Sequence, residues 1–239
     1  MQGIIKGLLD LIFPPLCAFC STPLPEDEGD EICPECLGNI RFISPPICPK
    51  CGLPFPMEMG EDHLCGQCLG RHWHFGSARA LGLYEGPIRE SIHLLKYRER
   101  SSLARPLIGL LDRGYPFIAY GSYDLLVPVP LHPKRLRERG FNQALLLGRV
   151  IGRRKGVPCM ASALKKARWS LPQIDLSPKE REANVKGSFA VADREVIRGK
   201  RVLLIDDVMT TGATVNECAR ALLEAGAGEV DVFTLARAV

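Results

Sequence analysis

Two groups of residues have types and spacings suited to chemistry. The first is Asp206-Asp207-Val208-Met209-Thr210-Thr211-Gly212-Ala213-Thr214. Two adjacent carboxylates accept hydrogen bonds and suit a pair of vicinal hydroxyls, such as a ribose diol. Thr210, Thr211 and Thr214 add hydroxyl donors, while Gly212 and Ala213 keep bulk away from the backbone. If a helix starts here, its first N–H groups lack internal partners and lie at the positive end of the macrodipole, which makes an anion site. The loop carries no lysine, unlike the GxxxxGK[ST] loop that grips a triphosphate, so a monophosphate is expected. Phosphate beside a diol describes ribose 5-phosphate. The competing readings are an ordinary strand–turn–helix with a surface acidic pair and a receiver-type aspartate pocket. A receiver would carry its acidic pair near the start of the fold, whereas this pair lies near the chain end.

The second group is cysteine. Of ten cysteines, eight form four CxxC pairs, Cys17/Cys20, Cys33/Cys36, Cys48/Cys51 and Cys65/Cys68, with 12, 11 and 13 residues between pairs. Two residues between cysteines let a tight turn aim both thiolates at one metal, and two such knuckles complete a tetrahedral zinc site. Consecutive pairing predicts Cys17, Cys20, Cys33 and Cys36 on one Zn2+, and Cys48, Cys51, Cys65 and Cys68 on a second. A disulfide framework would need export, which nothing here suggests, and four redox CxxC pairs in series would be odd. His63, His72 and His74 lie near the second set and are read as surface or interdomain residues. Cys159 and Cys218 are read as small buried hydrophobes.

Elements must hold these residues. Val202–Ile205 reads as a buried strand that ends at the acidic pair. Val215, Ala219, Leu222 and Leu223 repeat at helical spacing from near Thr214, Gly226 and Gly228 are stop signals, and Glu229–Ala236 reads as the next strand. Ala78–Tyr84 and Leu125–Val129 are further strand candidates. Ile88, Ile92 and Leu95, then Leu103, Leu107, Leu110 and Leu111, mark two helical stretches. Between them the basic run Lys96-Tyr97-Arg98 either faces an anion or is a solvated turn. After Val129, Leu131-His132-Pro133-Lys134-Arg135 reads as a basic loop at the carboxyl end of a strand. Lys134, Arg135, Arg137 and Arg139 would suit a pyrophosphate, with N–H groups around Leu131 and His132 cradling it; a helix follows over Ala144–Arg153. Lys165–Phe189 is a long polar stretch with a short helix from Ser177-Pro178, and long loops in compact domains usually carry function.

Composition bounds these readings. At 239 residues the chain holds one α/β domain and a small appendage, with 24% charged and 46% hydrophobic residues in ordinary globular balance. A net charge of +4 suits a site for polyanionic small molecules and permits nucleic-acid contact. No stretch reaches the ~20 apolar residues of a membrane span. Ile4 to Phe13 is a short apolar patch without the flanks of a signal peptide. It reads as an amphipathic helix on the body of a cytoplasmic protein, a peripheral foot on the inner face of the membrane being the alternative. Residues 14–70 are rich in proline and glycine and could not form a core alone, so metal would supply their folding free energy.

Asp206–Thr214 after its apolar run resembles the type I phosphoribosyltransferase signature without departure. Four cysteine knuckles, VPVPLHPKRLRERGFNQ, RWSLPQ…NVKGSF and IDDVMTTGAT, in that order, resemble the ComF family of competence-associated, phosphoribosyltransferase-like proteins over nearly the whole chain. Ser170 stands where that family has threonine and keeps the hydroxyl. The resemblance implies an α/β type I phosphoribosyltransferase fold over residues 75–239, a mostly parallel sheet flanked by helices. It places a double zinc ribbon at 14–72 and a helix at 1–13. It implies binding of 5-phosphoribosyl 1-pyrophosphate with Mg2+ and phosphoribosyl transfer to an acceptor these residues do not identify. The 5′-phosphate would lie on Thr210, Thr211, Gly212, Ala213 and Thr214, and the ribose hydroxyls on Asp206 and Asp207. Pyrophosphate would lie on Val129, Pro130, Leu131, His132, Lys134 and Arg135. A basic lid would bring Arg168, Gln173, Arg181 and Lys186, with Arg168, Arg181 and Lys186 as catalytic candidates. The alternative is a non-catalytic protein of natural transformation that handles single-stranded DNA with other DNA-uptake proteins and uses the site as a ligand sensor. In the cysteine module basic residues are sparse (Arg41, Lys50, Arg71) and Glu26–Glu31 is acidic, so residues 134–155 are the better nucleic-acid face.

Overall fold

The computed structural model describes residues 14–25, 31–56, 60–96, 98–113, 122–169 and 177–239. The expected helix over 1–13, Ser170 and the lid candidate Gln173 lie outside the described residues. The helices are α1 (Pro34–Gly38), α2 (Gly66–Leu69), α3 (Gly86–Leu94), α4 (Ala104–Gly109), α5 (Pro133–Arg139), α6 (Gln143–Lys155), α7 (Pro178–Val185), α8 (Arg194–Ile197) and α9 (Ala213–Glu224). The strands are β1 (Ala78–Leu83), β2 (Leu125–Pro128), β3 (Leu164–Lys166), β4 (Phe189–Val191), β5 (Arg201–Met209) and β6 (Glu229–Arg237). Four of them form a sheet in the order β1-β6-β5-β2, every pair parallel. β3 and β4 make a separate antiparallel pair.

Parallel strands are covered on both faces and so are apolar on both sides. In β5, Val202 and Leu204 join one core cluster with Val232, Val215, Cys218 and Leu222. Leu203 and Ile205 join another with Phe233, Leu126, Leu147 and Ile151. The cysteine segments share these cores. Cys17, Leu24, Ile32, Cys33 and Ile40 pack in the second cluster with Leu81 and Ile88. Cys48, Cys51, Cys65 and Cys68 pack in the first with Trp73 and Phe75. Each cysteine set therefore abuts a different face of the sheet.

The sheet edges are covered too. Ile43 N–H donates to Leu81 O at 3.1 Å and Leu83 N–H to Arg41 O at 2.8 Å, along the outer edge of β1. Gly82 permits this approach, since a Cβ there would lie 2.8 Å from the Arg41 carbonyl oxygen. At the other edge Leu126 N–H donates to Pro158 O and Met160 N–H to Leu126 O, at 2.8 and 2.9 Å. Both outer strands of the four-stranded sheet thus carry hydrogen-bonded partners, which shields them from pairing with another chain.

Two expectations change. β5 does not stop at Ile205 but runs to Met209 and contains both aspartates. Its partner explains this: β6 pairs onward through Asp206↔Thr234, Val208↔Ala236 and Met209↔Arg237. Lys134, Arg135, Arg137 and Arg139 lie in α5 rather than in a loop. Pro133 opens that helix, His132 Nδ1 accepts the Lys134 N–H at 3.2 Å, and Gly140 at φ 76° ends it.

Candidate functional site

β2 pairs with β5 only as far as Pro128↔Ile205, so Asp206–Met209 extends past it at the carboxyl end of the sheet. Open α/β folds bind ligands there. Successive strand residues point to opposite faces, and the two aspartates have different surroundings. Asp206 lies in charge range of Lys166 and Cys218. Burial, and then the Asp207 charge, push its carboxyl well above the usual carboxylate range. Asp207 lies in charge range of Tyr84, Lys96 and Arg139. Each carboxylate also accepts the next backbone N–H, Asp206 from Asp207 at 3.0 Å and Asp207 from Val208 at 2.8 Å.

Cations converge on this pair. Arg135 stands in charge range of Lys96, Arg139 and Lys166. Burial lowers the Lys96 and Lys166 ammonium pKa values, and burial followed by the Arg135 charge lowers that of Arg139. Partly buried cations of this kind suit a ligand with several negative charges. The RGFNQ stretch fixes the arrangement. Arg139 Nη1 donates to Gln143 Oε1 at 2.9 Å, buried Gln143 Nε2 to Ile92 O at 3.4 Å, and Asn142 Nδ2 to Val129 O at 3.0 Å. The last bond ties Val129–His132 to the start of α6.

Thr210–Gly212 turns the chain from β5 into α9. Gly212 caps the helix at φ 73°, where a Cβ would lie 2.8 Å from Met209 Cε and from Trp73 Cζ3. Asn216 N–H donates to Gly212 O at 2.9 Å, and Ala213 N–H to Thr211 Oγ1 at 3.4 Å. From α7, Arg181 Nη1 donates to Thr210 Oγ1 at 3.2 Å, while Arg181 Nε is buried without a hydrogen-bond partner among the described residues.

At the base of the segment between β3 and β4, Arg168 Nη2 donates to Lys186 O at 2.6 Å. Arg181 thus meets the turn, while Arg168 braces the segment's base and Lys186 caps α7. A Ser177/Glu180 capping box starts α7. Exposed Trp169 stands edge-on to His132 at 5.1 Å, with Lys134 Nζ 5.0 Å from its ring centroid. The segment therefore touches both Thr210 and the His132–Lys134 stretch.

Three residues that sequence reasoning left away from the site also meet the turn: Arg71, Trp73 and Arg237. Arg71 Nη1 donates to Thr211 O at 3.0 Å. Buried Arg237 donates to Met209 O at 3.1 Å, to Ala238 O at 2.7 Å and to Thr210 O. The available signal for Arg237 was a charge closing the run Val232–Ala236, which is apolar but for Thr234.

The cysteines gather in two sets, Cys17, Cys20, Cys33, Cys36 and Cys48, Cys51, Cys65, Cys68, with ligand atoms in each set all within 4.8 Å of one another. The first CxxC of each set lies on a turn closed by one antiparallel bridge, Leu16↔Pro23 or Ile47↔Pro54. The second starts a short helix, with Cys33 or Cys65 as N-cap. Backbone N–H groups aim at the sulfurs, Cys33 at Cys17 Sγ (3.3 Å) and Cys65 at Cys48 Sγ (3.5 Å). Burial works against the Cys48 thiolate, yet N–H groups of Cys51, Cys65 and Lys50 outweigh it and bring the pKa down to about 7. Bonds from Thr22 bring Cys20 to about 6. All ten cysteines are free of disulfides, and two four-thiolate donor sets fit Zn2+. The His74 backbone N–H donates to Asn216 Oδ1 at 2.7 Å. Cys218 is fully buried, while Cys159 is half-buried. Among the described residues no helix is long and apolar enough to cross a membrane.

The Double zinc ribbon domain family matches residues 8–69, and the Phosphoribosyl transferase domain family matches residues 153–238. Competence protein F of Haemophilus influenzae is 33% identical over 180 residues, covering 73% of this chain and 78% of that protein. The DNA utilization protein YhgH of Salmonella typhi is 32% identical over 237 residues, 95% of this chain and 99% of that one. Among solved structures, the glutamine phosphoribosylpyrophosphate amidotransferase of B. subtilis aligns at 24% identity over 56% of this chain and 26% of its own. The TM-score of that alignment is 0.38. With a double zinc ribbon built onto a parallel sheet of phosphoribosyltransferase type, the chain belongs to the family of Competence protein F and the DNA utilization protein YhgH.

Proposed function

We propose that this protein binds 5-phosphoribosyl 1-pyrophosphate with Mg2+ and transfers its phosphoribosyl group to an acceptor, releasing pyrophosphate. One observation carries the reading. A glycine turn at a helix N-terminus, an acidic pair and four converging cations meet at the carboxyl end of one sheet. The 5′-phosphate meets the N–H groups and hydroxyls of Thr210–Thr214, and Arg181, whose buried Nε has no hydrogen-bond partner among the described residues, closes over it. Asp206 and Asp207 accept from the ribose hydroxyls. Pyrophosphate lies along Val129, Pro130, Leu131 and His132, with Lys134 and Arg135 at the start of α5 and Arg139 at its end. Two carboxylates beside a diphosphate fit Mg2+, which when bound neutralises charge on the leaving group.

The chemistry follows from charge. The C1–O bond to pyrophosphate breaks, its electron pair leaves with pyrophosphate, and the ribose ring becomes oxocarbenium-like. An acceptor lone pair forms the new bond and its proton passes to solvent. Fixed cations favour the growing charge on pyrophosphate. Arg168, Arg181 and Lys186 hold the lid segment over the reacting carbon and exclude water. The test is pyrophosphate release across a panel of nucleobases and amines, with the product's mass identifying the acceptor. Combining Asp206→Asn with Asp207→Asn abolishes release. Tight ligand binding without release from any acceptor would overturn transfer.

A second reading has its own support. Lys134, Arg137, Arg149 and Arg153 are exposed on α5 and α6, and the relatives are named for competence and DNA utilization. It makes the protein a carrier of single-stranded DNA that senses the sugar phosphate. It predicts single-strand affinity that falls with salt; salt-independent or absent binding would count against it.

A further inference from the structure

We infer that Arg71 and Trp73, which leave the second zinc ribbon just after Cys68, are positioning residues of the 5′-phosphate turn, so that this ribbon holds the turn in its anion-binding shape. The inference rests on the phosphoribosyl reading above and deepens it. A turn that directs its N–H groups at an anion directs its carbonyls the other way, into the protein, and buried carbonyls need donors. Here each carbonyl from Met209 to Thr211 has an arginine. Arg237 takes Met209 O and Thr210 O, and Arg71 takes Thr211 O at 3.0 Å.

Arg71 reaches the turn from the ribbon. Its guanidinium lies 4.0 Å from the Trp73 ring centroid, and its Nη2 pairs with Glu182 of α7. One side chain therefore joins the ribbon, the 5′-phosphate turn and the helix that carries Arg181. Trp73 supplies the shape. Its ring fills the space where a Cβ of Gly212 would stand, and packs 4.9 Å from Phe75 among Cys48, Cys51, Cys65 and Cys68. The next backbone group, His74 N–H, bonds Asn216 in the first turn of α9 at 2.7 Å. The first ribbon makes none of these contacts with the turn among the described residues.

The experiment compares two ligands by calorimetry on the zinc-loaded full chain. Ribose 5-phosphate reads the turn, while pyrophosphate reads Val129–Arg135. For Arg71→Ala, ribose 5-phosphate affinity falls about 10- to 100-fold, the effect of losing one charge-assisted hydrogen bond. Pyrophosphate affinity stays within about twofold, and zinc content is unchanged. Arg71→Lys, which keeps a charged donor without the planar fork, recovers part of the loss. Hydrogen exchange of the Thr211–Thr214 amides quickens in Arg71→Ala without ligand. Wild-type affinity for ribose 5-phosphate retained in Arg71→Ala overturns the inference and leaves the phosphoribosyl reading standing. Equal loss of both ligands also overturns it, because general unfolding then explains the effect. A wild-type protein that binds neither ligand removes both readings together.

Discussion

Replacing Gly212 with alanine tests how tightly the ribbon and the turn are fitted. At φ 73° an L-residue costs about 1–2 kcal/mol. The new Cβ would also stand 2.8 Å from Met209 Cε and Trp73 Cζ3 and 3.0 Å from Trp73 Cη2. Met209 Cε ends a flexible side chain and can move aside. The Trp73 ring is buried between Phe75 and the Arg71 guanidinium and has no such freedom. Overpacking of that kind adds about 1–3 kcal/mol, giving about 2–5 kcal/mol in all. Gly156→Ala is the control: its φ is 70°, yet its Cβ meets nothing within 4 Å, so only the backbone cost applies. At about 2–4 °C per kcal/mol for a chain of this size, Gly156→Ala lowers Tm by about 2–8 °C and Gly212→Ala by about 4–20 °C. Scanning calorimetry reads Tm, and ribose 5-phosphate titration reads the site. Gly212→Ala should bind at least about tenfold more weakly, and Gly156→Ala as the wild type does. Equal Tm losses with unchanged affinity in Gly212→Ala would refute the argument, because the ring would then be yielding freely.

Metal analysis of purified protein should give about two zinc ions per chain; a single ion would break the assignment of two four-thiolate sites. Cys48→Ser should weaken ribose 5-phosphate binding more than Cys17→Ser does, since Cys48 shares its cluster with Trp73 and Cys17 lies on the opposite face; the reverse order would sink that expectation. Asn142→Ala removes the bond to Val129 O, and should weaken pyrophosphate about 3- to 10-fold with ribose 5-phosphate unaffected; titration of both ligands checks this. Burial opposes the Glu217 carboxylate, but Arg220 and the Gly187 N–H outweigh it and hold its pKa below the usual range. A depressed acid contributes stability that is full above the unfolded value near ~4.3 and lost as pH falls through the folded value. Glu217→Gln should therefore lower Tm at pH 7 and by progressively less below about pH 4; a gap that stays constant across that range would contradict it.

Asp206–Thr214 is legible in the sequence because its chemistry is local: strand, turn and helix start lie within a few consecutive residues. The cysteine sets are legible for the same reason, since each knuckle is a four-residue pattern and consecutive pairing needs little chain. The end of β5 is not, because Asp206–Met209 is held in extended form by β6, whose register no local pattern reveals. α5 is hard to read although Pro133 is a helix start signal, because Leu136 alone among Lys134–Arg139 is apolar and no apolar stripe marks a buried face. Arg71 and Thr211 are 140 residues apart in sequence, and no periodicity links them. Their meeting depends on which face of the sheet the second ribbon covers.

That choice of face follows from size. A helix with its side chains is about 10–12 Å across, whereas four strands at about 4.8 Å spacing span about 19 Å. α9 covers part of one face, and Val202, Leu204, Val230 and Val232 leave apolar surface that a single helix of this width cannot seal. On the other face α3, α4 and α6 supply Ile92, Leu107 and Leu147, so the first ribbon adds to a face already largely covered. The second ribbon instead stands where a flanking helix would, with Trp73 and Phe75 reaching Ala78 and the strands beneath. Its four cysteines occupy core volume, so the metal that organises them also shapes that wall. The Thr210–Gly212 turn lies at the join between α9 and this wall, with Gly212 against Trp73. Any loosening of the second ribbon must then reach the turn before it reaches Val129–His132, which hangs from Asn142 at the start of α6.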